Sequence, residues 1–244
     1  MRARQAVANP EEMLRKAMAA RTAGLRARYA RRGLATRAPL DRTTQAMLLR
    51  QLYLSHFEVR RFRQAHDVAL QAIELGVLSD VLHQDAARAA LAAGNLDLAL
   101  GHLRIAARRG PVARRAFHLW TLGSALFLAH RYEEAIAALT RAARVTGGEA
   151  PLYRGHLALA RIASGDDVDD LQRTIDELAK TPAGQGYGRF VLGHLAYATG
   201  AWLAARRYLE GFVKRTEGGR AALGIALEPE VRMARATLAK MAAH

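Results

Sequence analysis

Residues Ala116–Ala142 read AFHLWTLGSALFLAHRYEEAIAALTRA. Two apolar segments of helical periodicity meet in this stretch. In the first, Phe117, Trp120, Phe127 and Leu128 share one helical face, while Leu119, Leu122 and Leu126 share another, because residues three and four apart stack on one side of a helix. In the second, Tyr132, Ala135, Leu139 and Ala142 recur at spacings of three, four and three. The same order of large, small, large and small residues stands elsewhere in the chain. Leu96, Ala99, Leu103 and Ala106 repeat it upstream, and Trp202, Ala205 and Leu209 repeat its first three places downstream, with Phe212 where the small residue would stand. Phe62, Ala65, Ala69 and Ala72 give a version with Ala at the third place. Small residues let two helices approach closely, and the Leu between them fills the seam. The first two Ala markers lie 34 residues apart and the next two 36 apart.

Composition agrees with an all-helical reading. Of 244 residues, 51% are hydrophobic but only 6% aromatic. Ala and Leu supply most of the apolar mass, and with Arg they are strong helix formers. The chain has no Cys, which excludes disulfides, thiol nucleophiles and Cys-based zinc sites. A cytoplasmic location fits that usage. No apolar run approaches the roughly 20 residues a membrane-spanning helix requires, and the first residues lack the apolar core of a secretory signal.

A period of about 34 residues built on helix–turn–helix units is the mark of the tetratricopeptide family, and over residues 46–219 the chain is similar to that family. Leu122-Gly123 and Leu192-Gly193 match its Leu-Gly pair, Gly94 and Gly200 its turn glycine, and Pro111 and Pro182 fall near its repeat-ending proline. Most of the family's Trp and Tyr positions in the first helices are not matched. The resemblance implies an all-α, right-handed superhelical solenoid of about five helix pairs with flanking helices. The pairs are expected at 46–79, 80–113, 116–149, 151–185 and 186–219, within an array spanning 41–219. The fourth is the weakest, with Ser164-Gly165-Asp166-Asp167 as its turn and Leu171, Ile175 and Leu178 at its seam.

The flanks complete the organisation. Residues 1–40 form a basic arm with one predicted helix, Pro10 to Arg32, capped by Asn9 and stopped by Gly33. Asp41 is placed to cap the next helix. Residues 220–244 are expected to cap the array, with a helix opening at Glu228-Pro229-Glu230 and an apolar stripe of Val231, Ala234 and Leu238. The net charge is +15, and residues 1–37 carry +8 of it. This arm is either a solvated tail of an Arg-rich chain or a contact for a polyanion. Its helix is either free or laid into the array.

Catalytic motifs are not found. Gly184-Gln185-Gly186-Tyr187-Gly188 lacks the Lys-Ser/Thr of a phosphate loop and reads as the loop between two repeats. Paired carboxylates such as Glu133-Glu134 stand at helix starts, where the helix dipole favours them. The nine His show no His-Glu-x-x-His pattern, and neither a metal nor a cofactor is expected. The chain is therefore read as a non-enzymatic protein-interaction module or adaptor. The alternative is a regulatory or nucleic-acid-associated factor that uses the basic arm.

In the tetratricopeptide family the first helices of successive repeats line a concave, ligand-binding groove. On that resemblance the partner-binding residues are Arg50, Phe57, Arg88, Phe117, Trp120, Phe127, Phe190, His194 and Tyr197. The implied partner is an apolar or amphipathic segment of another protein, with an acidic flank meeting Arg50 and Arg88. The aromatic stripe of Ala116–Ala129 has a second reading as ordinary core.

Overall fold

The computed structural model describes residues 9–36, 39–145 and 147–243. Helices occupy 79% of the described residues, and no strand occurs among them. The chain divides into two compact units, Met1–Gly110 and Pro111–His244.

The first unit holds α1 (Pro10–Ala19), α2 (Ala23–Leu34), α3 (Arg42–Glu58), α4 (Phe62–Ile73), α5 (Ser79–Ala92) and α6 (Leu96–Arg109). Each helix packs against the next, and α1 also reaches α3. Where one N-terminal helix was expected there are two. Ala20 is extended, and the Thr22 hydroxyl accepts from the Leu25 amide at 3.3 Å, starting α2 afresh. This pair is part of the unit and does not stand free. Met13, Ala17, Ala27 and Ala30 are buried, Arg26 pairs with Glu58, and the Ser55 hydroxyl donates to the Ala23 carbonyl at 2.7 Å. A Cβ on Gly33 would lie 2.8 Å from Leu48, so this glycine permits the close approach of α2 to α3. Residues 1–8 and 37–38, with Arg2, Arg4 and Arg37 of the basic arm, lie outside the described residues.

The second unit holds α7 (Val112–Leu128), α8 (Tyr132–Ala143), α9 (Ala150–Ser164), α10 (Leu171–Ala179), a 3-10 turn (Pro182–Gln185), α11 (Gly188–Ala198), α12 (Trp202–Glu217), α13 (Ala221–Ala226) and α14 (Glu228–Ala242). Here α7, α8 and α9 pack in order, α9 meets both α10 and α11, and α14 closes on α12 and α11. The weak fourth repeat is a short α10 in which only Leu178 is buried; Leu171 and Ile175 stay half-exposed.

The recurring small and large residues form the seams. Ala65, Ala99, Ala135 and Ala205 are fully buried, as are Leu103, Leu139 and Leu209. The Leu-Gly pairs have a steric reason. A Cβ on Gly123 would stand 2.6 Å from Leu139, and one on Gly193 would stand 2.5 Å from Leu209. Each glycine is thus the socket for the seam leucine of its repeat. The turns between paired helices are also alike. Arg60, Gly94, His130 and Gly200 all take positive φ (58°, 81°, 59° and 76°), each two residues before the second helix begins.

Candidate functional site

Three of the predicted groove residues pack against the first residue of the following helix, and two of them are buried by it. Phe57 at the end of α3 meets Phe62 at the start of α4, with centroids 5.5 Å apart. Phe127 meets Tyr132 at 5.9 Å, and Tyr197 meets Trp202 at 5.2 Å. This aromatic clamp joins the last turn of one helix to the first residue of the next in three repeats. Phe57 and Phe127 are each 2% exposed and Tyr197 is half-buried. Phe190 is fully buried between Tyr187 and Phe212, and His194 is buried beside it, 4.6 Å away. Phe57, Phe127, Phe190 and His194 therefore present no surface to a partner in this conformation.

Arg50 and Arg88 are largely engaged within the first unit. Arg50 Nε donates to Asp85 Oδ2 at 2.6 Å, and Arg88 Nη1 lies 3.6 Å from Asp85 Oδ1. The buried Asp85 carboxylate is thus shared by two guanidiniums. The buried hydroxyl of Tyr53 nearby is held well above its ordinary pKa, by burial first and by Asp85 second.

Phe117 and Trp120 remain accessible. With Leu152 and Tyr153 of α9, Glu149, Pro182, Ala183, Gly186 and Tyr187 they line an open cleft of about 330 Å³ in the second unit. Trp120 stands 5.8 Å from Phe117 and 5.9 Å from Tyr153, with interplanar angles of 38° and 34°; Tyr187 crosses it at 85° and 4.9 Å. The polar ends of two of these rings point inward. Trp120 Nε1 donates to His156 Nδ1 at 3.1 Å. The Tyr187 hydroxyl donates to Glu230 Oε1 at 3.3 Å and shares a 2.7 Å bond with Ser124.

Under the cleft lies a buried polar layer. His156 Nε2, His194 Nε2 and Glu230 Oε2 are enclosed without a hydrogen-bond partner among the described residues. Burial pushes His156 down to about 3 and His194 down to about 4, so both are neutral near pH 7. Burial pushes the Glu230 carboxyl up to about 7, against the hydrogen bond from Tyr187. A second histidine cluster occupies the first unit. His66 and His102 share a bond between their Nε2 atoms at 3.3 Å, and His102 and His83 share one between their Nδ1 atoms at 2.9 Å. Burial and the two neighbours hold His102 down to about 4. Among the described residues no group of three or more His, Asp or Glu is arranged to hold a metal ion.

Sequence reasoning missed Tyr153, Glu149 and the Pro182–Gln185 turn as parts of one cleft. The array's spacing carried a signal for Tyr153. His156 follows Trp120 by 36 residues, and Tyr153 follows Phe117 by the same interval.

No family model matches the chain, and no curated protein matches it. Among solved structures it is similar to one described as the functional characterization of Pseudomonas aeruginosa PilF. The two are 22% identical over 82% of this chain and 90% of that one, with a TM-score of 0.53. PilF is a tetratricopeptide-containing protein, and the likeness is one of fold: an all-α solenoid of consecutively packed helices.

Proposed function

We propose that this protein is a non-enzymatic interaction module that holds a segment of a partner protein in the aromatic cleft of its second unit. One observation carries the proposal: Phe117 and Trp120 keep accessible surface at the wall of a cleft, whereas Phe57, Phe127 and Phe190 are buried in packing. Phe117 is 37% exposed, and Trp120 is half-buried. Large aromatics left at the wall of a concave site are the usual anchors of binding energy. The partner segment is apolar or amphipathic, since the cleft walls are mostly ring and aliphatic surface. The helix-pair fold supports the same reading, because stacked repeats build extended concave surfaces. No helix among the described residues is long and apolar enough to cross a membrane.

Photo-crosslinking tests the proposal. A photoreactive residue at position 117 is expected to capture a discrete partner, and one at the 88% exposed Leu203 is not. Trp120→Ala should weaken retention of that partner by roughly 30-fold while the helical signal persists. Capture from position 203 alone, or unchanged retention by the Trp120 variant, places the interface elsewhere.

A further inference from the structure

We propose that the cleft takes a positively charged side chain of its partner, an ammonium, alkylated ammonium or guanidinium group. This inference deepens the partner-binding reading and rests on it.

The cleft is a box of π surface. Phe117, Trp120 and Tyr153 stand in a row with neighbouring centroids less than 6 Å apart and modest interplanar angles, and Tyr187 stands against the central Trp120 almost at right angles. A cation near such ring faces is attracted by their quadrupoles, and several rings around one site are the arrangement that binds quaternary ammonium groups. The donors that would repel a cation are turned away. The Trp120 N–H is committed to His156, and the Tyr187 hydroxyl to Ser124 and Glu230. What those two residues offer the cleft is therefore carbon ring surface rather than N–H or O–H.

Charge at the rim has the matching sign. Glu149 lines the cleft on its exposed side. Among the described residues no cation lies within ion-pairing distance of it. Its charge reaches the cleft wall, adding to burial in pushing the Tyr153 phenol up to about 12. Of the arginines beside the wall residues, Arg114 and Arg115 precede Phe117 on the exposed first turn of α7, while Arg154 and Arg189 are engaged elsewhere. Arg154 bonds Glu177 at 2.9 Å. Arg189 donates to Gln185 at 3.1 Å and lies over Gly211 of α12. A partner cation would thus meet a carboxylate with no ion pair among the described residues, beside the ring surface of the cleft wall. A neutral aliphatic group of the same shape would gain only the apolar contact.

The test uses the full chain carrying Trp202→Phe, which leaves Trp120 as the sole tryptophan. Two probes are titrated against its fluorescence: the amide of N-acetyl-trimethyl-lysine, and its neutral isostere with a tert-butyl group in place of the trimethylammonium. The ammonium probe is expected to bind about 5-fold more tightly. Glu149→Gln should bring that ratio below about 2, and higher salt should shrink it in the parent chain. Equal affinity for the two probes, or a ratio unmoved by Glu149→Gln, overturns the charge preference. Equal binding would still leave the cleft as an apolar docking site, so that failure is separable from failure of the partner-binding reading. Binding of neither probe, with crosslinking from position 117 intact, overturns the cation site alone.

Discussion

Gly123 and Leu139 show how much of this fold rests on pairs of residues. The glycine leaves no room for a Cβ, and the leucine fills the space so made. Leu139→Ala is expected to lower stability by about 2–5 kcal/mol through the cavity it leaves. Gly123→Ala should cost about 1–3 kcal/mol by overpacking the same contact. Denaturant melts of both variants check this, and near-neutral effects would mean that the seam relaxes freely. The turn residues predict the opposite sign. Arg60 holds φ at 58°, where the corresponding residue in two other repeats is glycine. Relief of left-handed strain outweighs the added entropy of glycine in the unfolded chain, but the Arg60 side chain also makes an interaction that glycine removes, so Arg60→Gly should stabilise by no more than about 0.5 kcal/mol. His130 has the same strain and bonds Tyr132 at 2.6 Å, so replacing it likewise removes an interaction. The aromatic clamp also separates two residues that look alike in sequence. Phe127→Ala should destabilise like a core truncation, by about 3–5 kcal/mol. The half-buried Trp120 should cost less stability and more binding.

Helix pairs are the working elements, and α1 with α2 behaves as one of them. The sequence showed a basic, Arg-rich segment whose charge suggested a separable tail. Charge describes the outer face only. The inner face places Met13, Ala17, Ala27 and Ala30 against the array, and Gly33 receives Leu48. Deleting residues 1–36 is therefore expected to lower stability by about 2 kcal/mol or more, since apolar surface of α3 is uncovered and Glu58 loses Arg26. An unchanged melting temperature after deletion would show that the pair contributes nothing to the unit. The far end is built similarly. The cap was legible in Glu228-Pro229-Glu230, whose helix α14 buries Val231 and Ala234. What the stripe did not reveal is that Glu230 itself is buried and faces Tyr187 across the unit.

Across the whole molecule, buried titratable groups set the response to pH. His102, His156 and His194 are held at about 4, 3 and 4, against roughly 6.5 in an unfolded chain. Below pH 6.5 the unfolded chain therefore binds more protons, and folded stability falls as pH drops toward the folded values. His156, fully enclosed, accounts for about 3 kcal/mol of this loss by about pH 4. Glu230 acts with the opposite sign. Its folded value of about 7 lies above the ordinary 4.5, so its contribution is fully present below 4.5 and is lost as pH rises to about 7. The stability advantage of Glu230→Gln over the parent should grow by on the order of 2–3 kcal/mol between about pH 5 and about pH 8. Thermal melts across that range measure both slopes, and a parallel pair of curves would show that Glu230 is not held protonated.

The sequence by itself determined the helix-pair architecture, because periodicity, helix caps and seam spacing are local and repeat. Ala65, Ala99, Ala135 and Ala205 announced the period, and Asp41 and Asn9 cap their helices from positions readable in the chain, each accepting two backbone amides. Which aromatics are surface and which are core was decided only by tertiary structure. Phe117, Trp120 and Phe127 share a helical face, yet Phe127 is closed over by Tyr132 across a turn while Phe117 and Trp120 face the cleft. The cleft itself draws on α7, α9 and the turn before α11, segments far apart in the chain. Helical spacing reports the direction a side chain takes from its own axis; what meets it there depends on the packing of other elements.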